Sequence, residues 1–344
     1  MRILRHYQSV PEDTRGSVVA IGNFDGIHRG HQAVIAKARR LAEEFAAPLS
    51  LMTFEPHPRR FFKPELPPFR LTPFRVKTRL IEALGVDCLF VIPFTRSFSS
   101  LTAEQFIARV LGGSDRSGLG VRHVVVGDNF RFGYQAKGDI ALLERLGHAS
   151  GFGVTAVSPV TGPQEEIYSS TLVRDYLKAG NPTRAALLLG RYWEIEGRVA
   201  HGHKRGRGLG YPTANIALGE ILQPAYGVYA VRVAFDREVG RHDSRTTWYP
   251  AVANIGISPV FDNPAPCLEA YIFDFDRDIY GEHMRVALVD YLRPEQNFDD
   301  IEALKAQMAK DCERARATLA WEEWDATWPA SPFMSGKAGG EDRG

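Results

Sequence analysis

The stretch SVVAIGNFDGIHRGHQAVIAKARRLAEEF (17–45) constrains the fold more than any other part of the chain. SVVAIG (17–22) is a short, continuously apolar β-rich run. A glycine-bearing bend follows, and then Val34, Ala38, Leu41 and Phe45 recur at helical spacing. A strand that is apolar on both faces belongs in a parallel sheet covered on both sides by helices. The pattern recurs in PLSLMTF (48–54), CLFVIPF (88–94) and HVVVG (123–127), with a helix at KTRLIEALG (77–85) ending at Gly85. Residues 1–186 therefore predict a doubly wound, Rossmann-like parallel α/β domain.

The pattern changes near AGNPTRAALLLG (179–190), where we place the boundary. Across residues 191–296, YWEIEGRVA, GVYAVRVAF, AVANIG, CLEAYIFDF and HMRVALVDYL are strand-like pieces separated by turns. They predict an antiparallel β-barrel or sandwich. One long helix follows, with Ile301, Leu304, Met308, Cys312, Ala315 and Leu319 on a shared face. The second domain spans 187–328, and the Pro-, Gly- and Ser-rich tail 329–344 is expected to be disordered.

Composition excludes several classes. The 344 residues suffice for two separate cores. With 44% hydrophobic and 24% charged residues, the chain reads as a soluble globular protein. A net charge of +1 gives no global field to recruit nucleic acid or an anionic membrane. The apolar runs are too short to span a bilayer. MRILRHYQSVPEDTRG at the N-terminus lacks a signal-length apolar core. Cys88, Cys267 and Cys312 have no metal-ligand spacing and read as reduced thiols of a cytoplasmic protein.

The bend GNFDGIHRGHQ (22–32) carries chemistry. Gly22 ends the strand and the helix begins near Gly30. Ligands of open α/β sheets bind at the carboxyl ends of the strands. A helix N-terminus there offers unpaired N–H groups and about half a positive charge, which suits phosphate. Gly26 and Gly30 allow close backbone approach, and His28 and His31 can donate to phosphoryl oxygens. Two other readings compete. The histidines could only cap the helix. Alternatively His28, His31 and His57 could hold zinc, but no fourth ligand is indicated, so no bound zinc is expected.

GNFDGIHRGH resembles the G-x-F-D-G-x-H-x-G-H signature of the bifunctional riboflavin kinase/FAD synthetases. TFEPHPRRFF (53–62), VGDNFRFG (126–133), YSSTLVR (168–174), GRGLGYPTANI (206–216), YGVYAV (226–231), ANIG (253–256), LEAYIFDFDRDIYG (268–281) and LRPEQNFD (292–299) match in order, across about residues 15–320. The resemblance implies that residues 187–328 phosphorylate riboflavin with ATP, giving FMN. It implies that residues 1–186 transfer AMP from a second ATP to FMN, giving FAD and pyrophosphate. ATP is then a substrate and Mg²⁺ the cofactor, in a cytoplasmic enzyme with no nucleic-acid or membrane partner.

For adenylyl transfer the nucleophile is already an anion, so alignment and charge neutralisation dominate. The resemblance implies that His28 and His31 hold ATP phosphates, with Gly22, Phe24, Asp25 and Gly30 shaping the site. Ser170, Thr171 and Arg174 look like the family's second phosphate-binding element; alone they would read as a helix cap and a surface arginine. Pro56, His57, Pro58 and Asn129 would lie near the flavin phosphate and the nucleotide. Two departures fall here. Asn129 stands where the family often has Asp, and Tyr134, Gln135 and Ala136 where it often has basic residues.

For the kinase step a neutral ribityl hydroxyl attacks the γ-phosphate and benefits from a base. Glu269 is the candidate, expected to share a strand face with Tyr271, Phe273 and Phe275, whose apolar surroundings would favour proton acceptance. The competing reading is a rim glutamate. The loop GHKRGRGLG (202–210), with Gly206, Gly208 and Gly210, matches no standard phosphate motif and alone reads as a solvated basic loop. By resemblance these glycines, with Thr213, Asn215 and Arg293, contact ATP or flavin, and Thr213 and Asn215 hold Mg²⁺. DFDRD (274–278) fails as a calcium loop, because Ile279 and Arg285 occupy the glycine and glutamate positions, and reads as a hairpin turn. Ala251-Val252 and Pro259-Val260 replace the family's usual Gly-Val and Pro-Thr. Two rivals stay open: an RNA-binding protein with an OB-like platform, and an enzyme retaining one of the two activities.

Overall fold

The computed structural model describes residues 1–113, 118–162, 165–200, 211–235, 246–258 and 265–320. By their contacts these residues group into two units. The first comprises Met1–Pro67 and Thr72–Ser169; the second comprises Pro68–Leu71 and the chain from Ser170 on.

The first unit contains β1 (Arg2–Leu4), β2 (Val18–Ile21), α1 (Arg29–Glu44), β3 (Leu49–Glu55), α2 (Phe74–Ala83), β4 (Cys88–Pro93), β5 (His123–Gly127), α3 (Ile140–Ala149) and β6 (Gly153–Val157). The six strands pair in parallel in the order β1-β4-β3-β2-β5-β6. Alternation explains the continuous apolar runs. Val19, Ile21, Met52, Phe90, Val124 and Val126 enter one core, while Val18, Ala20, Leu51, Leu89 and Val125 enter the other with Val34, Ile35, Ala38 and Leu41 of α1. The order reverses at β2, which has β3 on one side and β5 on the other. The loops after β2 and β5 therefore open at the switch point, the expected ligand position.

The second unit holds α4 (Ser170–Lys178), α5 (Pro182–Leu189), β7 (Trp193–Arg198), β8 (Ala214–Ala217), β9 (Gly227–Phe235), β10 (Tyr249–Ser258), β11 (Ala265–Ile272), β12 (His283–Pro294) and α6 (Ile301–Leu319). The strands pair antiparallel in the order β7-β12-β9-β10-β11-β8. The two ends of that order meet where Ala200 N–H donates to the Asn215 carbonyl at 2.9 Å, nearly closing a barrel. Antiparallel barrel is thus the outcome of the barrel-or-sandwich expectation.

The shared face of α6 divides in two. Ala315 and Leu319 are buried with Val228, Ala230, Val252 and Leu292, while Leu304, Met308 and Cys312 face a cavity. Ile301 is 60% exposed and joins neither group, a correction to the expected stripe. Buried Arg232 donates to the Leu319 carbonyl at 2.7 Å and holds the helix end.

By contacts, α4 and α5 group with the barrel, and so does the tetrapeptide Pro68–Leu71. Trp193 Nε1 donates to the Leu71 carbonyl at 2.8 Å, Leu222 N–H to the Arg70 carbonyl at 2.8 Å, and Arg174 Nε to the Phe69 carbonyl at 2.8 Å. The tail from 321 on, with its expected disorder, lies outside the described residues. Among the described residues no helix is long and apolar enough to cross a membrane.

Candidate active sites

In the first unit the bend after β2 is held from all sides. Its backbone enters the left-handed region three times, at Phe24 (φ 48°), Gly26 (φ 88°) and Ile27 (φ 45°). Such residues persist only when their surroundings over-determine them. Buried Asp25 accepts from Thr72 N–H at 3.0 Å and from the Thr72 hydroxyl at 3.1 Å. The same hydroxyl accepts from Gly26 N–H at 2.9 Å. Gln32 Nε2 donates to the Ile27 carbonyl at 2.9 Å, and Lys77 Nζ to the Asn23 carbonyl at 2.9 Å.

The helix starts at Arg29, one residue before the expected Gly30, with His28 as its N-cap. His28 Nδ1 accepts from His31 N–H at 3.4 Å, which leaves the imidazole proton on Nε2. The two imidazoles stack at 3.7 Å, and Phe24 meets His31 edge-on at 5.3 Å. Capping and phosphate binding are therefore compatible: one ring nitrogen caps, and the other carries a donor proton. A Cβ on Gly30 would lie 3.1 Å from the His28 ring and 3.1 Å from the Tyr168 carbonyl, so a side chain there would force the ring away. Gly22 N–H donates to the Met52 carbonyl at 3.1 Å and continues the strand register.

His57 is buried and caps the short helix Pro58–Phe62, accepting from Arg59 N–H at 3.1 Å. Pro56 and Pro58 flank it at the carboxyl end of β3. Asn129 sits exposed in the turn after β5, the strand across the switch point from β3. Beside the Pro56–Pro58 turn, Phe61, Phe62 and Phe94 form an aromatic group with centroids 5.2–5.6 Å apart, and Phe62 is 64% exposed. The sequence reading passed over this patch and over Lys77 and Thr72. The available signal was the FF pair that follows PHPRR.

In the second unit Ser170 begins α4, Thr171 follows it, and Arg174 is buried one turn on, its guanidinium over the Phe69 ring at 5.5 Å. The structure thus makes Arg174 a largely enclosed side chain rather than a surface one.

The barrel carries the clearer cavity. About 270 Å³ is lined by Thr213 just before β8, by strand residues including Asn254, Glu269 and Tyr271, and by α6 residues including Met308 and Cys312. Strand register places Glu269 directly opposite Asn215 on β8 and opposite Asn254 on β10. Directly opposed residues share a face, so the three polar side chains form a row across the sheet. Asn215 is buried, and its Oδ1 has no hydrogen-bond partner among the described residues. Burial lifts the Tyr271 phenol above its ordinary range and pushes the Cys312 thiol up to about 11, both marks of a poorly solvated wall.

A second cavity of about 240 Å³ lies on the other face of β11, lined by Val199, Pro212, Ile272, Phe275 and Arg277 among others. Thr213 lines both. The expected common face of Glu269, Tyr271, Phe273 and Phe275 needs correction. β11 ends at Ile272, and a turn with Asp274 at φ 53° breaks the alternation. Phe275 consequently faces the second cavity. The DFDRD turn links β11 to β12, and Asp274 pairs with Arg316 at 2.8 Å. Arg293 lines the first cavity but is engaged bidentately by buried Asp311 of α6, at 2.7 and 3.0 Å. Gly206, Gly208, Gly210 and the Pro259-Val260 departure lie outside the described residues.

Comparison with known proteins bears on both sites. A family model described as FAD synthetase matches residues 10–171, and one described as riboflavin kinase matches residues 189–319. Two bifunctional riboflavin kinase/FMN adenylyltransferases are similar over nearly their whole length. That of Pseudomonas fluorescens is 40% identical over 93% of this chain and 98% of its own. That of Escherichia coli strain K12 is 38% identical over 90% of this chain and 95% of its own. The crystal structure of a macrolide-efflux protein from Streptococcus pneumoniae is also similar, with a TM-score of 0.79 at 31% identity, covering 92% of this chain and 99% of that one.

Proposed function

This chain belongs to the bifunctional riboflavin kinase/FMN adenylyltransferase family, and we propose that the barrel cavity and the switch-point bend carry its two reactions. It phosphorylates riboflavin with ATP to give FMN, and it adenylylates FMN to FAD with release of pyrophosphate. The assignment of residues, of magnesium and of a cytoplasmic setting is our reading.

One observation carries the kinase reading: Thr213 borders both cavities, and Glu269 and Asn215 face one another beside it. Riboflavin occupies the cavity under α6, where Tyr271, Met308 and Leu304 supply apolar and aromatic surface. ATP occupies the cavity on the other face of β11, with its base against Val199, Ile272 and Phe275. The γ-phosphate then falls near Thr213. Glu269 accepts the proton of the attacking ribityl hydroxyl.

The donor set fits Mg²⁺. The unpartnered, buried Asn215 Oδ1 and the Thr213 hydroxyl are hard oxygen ligands. When bound there, Mg²⁺ neutralises charge on the transferring phosphoryl group. Gly206, Gly208 and Gly210, which lie outside the described residues, are assigned to ATP or flavin binding by the family resemblance alone, and Arg293, held by Asp311, walls the flavin side.

For adenylyl transfer, the FMN phosphate attacks the α-phosphate of ATP. His28 and His31 donate to phosphoryl oxygens from the N-terminus of α1, as pyrophosphate departs. Ser170, Thr171 and Arg174 serve as the second phosphate-binding element. Pro56, His57, Pro58 and Asn129 fix the flavin side, and Phe62 offers its exposed ring to the isoalloxazine. The free cysteines Cys88, Cys267 and Cys312 support a reducing, cytoplasmic setting.

The test is Glu269→Gln assayed across a Mg²⁺ titration, with riboflavin in one series and FMN in the other. A loss of FMN formation that magnesium does not restore, with FAD formation intact, supports the base assignment. Wild-type FMN formation returns Glu269 to the rim.

A further inference from the structure

We infer that Lys77 is a positioning residue for adenylyl transfer, fixing from beneath the bend that presents His28 and His31. The inference rests on reading those two histidines as the phosphate-handling groups.

Lys77 lies on α2, outside the G-x-F-D-G-x-H-x-G-H signature, and its side chain is 2% exposed. An ammonium in that setting is costly unless it is paired and hydrogen-bonded. A methionine would fill much the same volume without that cost, so the charge is there for its contacts. Those contacts converge on one place. Nζ donates to the Asn23 carbonyl at 2.9 Å and lies 3.7 Å from Glu55 Oε1 at the end of β3. The buried Thr53 hydroxyl donates to the same Asn23 carbonyl at 3.2 Å.

Asn23 is where the chain leaves the β2 register. The next residue, Phe24, is left-handed at φ 48°, and its ring sets the edge of His31. Ile27, the residue before His28, is left-handed at φ 45°. Neither is a glycine, so neither conformation is local preference. The bend is imposed by groups elsewhere in the sequence: Lys77 and Thr53 at its start, Thr72 at Asp25 and Gly26, and Gln32 at Ile27. Lys77 is the charged member of this set and acts at Asn23, where the chain leaves the β2 register. Release of the Asn23 carbonyl would let Phe24 relax, and with it the edge contact that orients His31. Preorganised donors lose their advantage when they must reorganise during the reaction.

A double-mutant cycle separates positioning from plain stabilisation. The full chain is assayed for FAD formation from FMN and ATP as wild type, Lys77→Met, His31→Ala and the double variant. Lys77→Met is expected to lower kcat by about 10–10²-fold with KM for FMN little changed, part of the effect of one preorganised donor. In the His31→Ala background the same substitution is expected to cost less than about 3-fold, because its route runs through that imidazole. Riboflavin phosphorylation by the same preparations should stay at the wild-type rate. Wild-type kcat for Lys77→Met, or the same fold-loss in both backgrounds, would overturn the inference. If Lys77→Met does not accumulate folded, Thr53→Val removes the other donor to the Asn23 carbonyl and takes its place in the cycle. An additive loss there would overturn the inference equally. His31→Ala with wild-type FAD formation would instead remove the histidine reading, and the route through Lys77 with it.

Discussion

The two sites of this chain are built in opposite ways. In the parallel-sheet unit, the site is a bend of seven residues between β2 and α1, with its shape imposed by Thr72, Lys77, Thr53 and Gln32. In the barrel, the site is a walled cavity whose polar groups stand on regular strands, Glu269 opposite Asn215 and Asn254. The difference follows the chemistry. An anionic phosphate nucleophile needs alignment and charge neutralisation, which backbone N–H groups and imidazoles supply. A neutral hydroxyl needs a base in a place with little water, which a strand carboxylate in a cavity supplies.

The comparison can be broken most forcefully at the base. Glu269→Gln keeps shape and one carbonyl oxygen but cannot accept a proton. FMN formation from riboflavin should fall by about 10²–10⁴ with the KM for ATP little changed. Steady-state kinetics with each substrate varied decides it. Next comes the anion site, where no single proton acceptor is required. His31→Ala should lower FAD formation by about 10²–10³ while FMN formation persists. Equal loss of both activities in either variant would erase the distinction.

The third prediction concerns stability. A fragment from residue 187 onward contains the barrel and α6 and should phosphorylate riboflavin unaided. It lacks Pro68–Leu71, so the buried Trp193 indole loses its Leu71 acceptor. One unsatisfied buried donor costs about 1–3 kcal/mol. Denaturant titration should show the barrel at least that much less stable in the fragment than in the full chain, since α4 and the first five residues of α5, which group with the barrel, are lost as well. A folded fragment that makes no FMN would remove the kinase from this unit.

The smallest effect is expected at Cys312. Burial holds its thiol up at about 11, so at pH 8 it is almost wholly protonated. Alkylation by iodoacetamide at that pH should be slow, and Cys312→Ala should change FMN formation less than about 3-fold, as expected of a wall residue with no chemical part. Rapid modification with loss of activity would show a reactive group where we assign only a wall residue.

Periodicity made much of this molecule legible. The continuous apolar runs of 17–22, 48–54 and 123–127 became central parallel strands, because both their faces are buried. The glycine-histidine bend fell at the switch point because a strand end and a helix start coincide there. The unread parts were long-range. Nothing near Lys77 in sequence says that its amine reaches Asn23, and nothing near Leu71 says that its carbonyl meets Trp193. The turn at 274–278 is legible in the sequence, but its effect on the face of Phe275 is not, since strand alternation carried straight through it. Side-chain tethers between distant segments leave no period for a sequence to show.

The central claim is that the two sites act independently, and complementation in trans tests it most directly. His31→Ala and Glu269→Gln proteins are incubated separately and together with riboflavin, ATP and Mg²⁺, and the flavins are separated by chromatography. Alone, the first should accumulate FMN, and the second should leave riboflavin unchanged. Mixed, they should yield FAD, because FMN made in one molecule's barrel cavity can be adenylylated at the other molecule's intact histidine bend. Absence of FAD from the mixture, while each variant retains its own remaining half-reaction, would contradict independent sites.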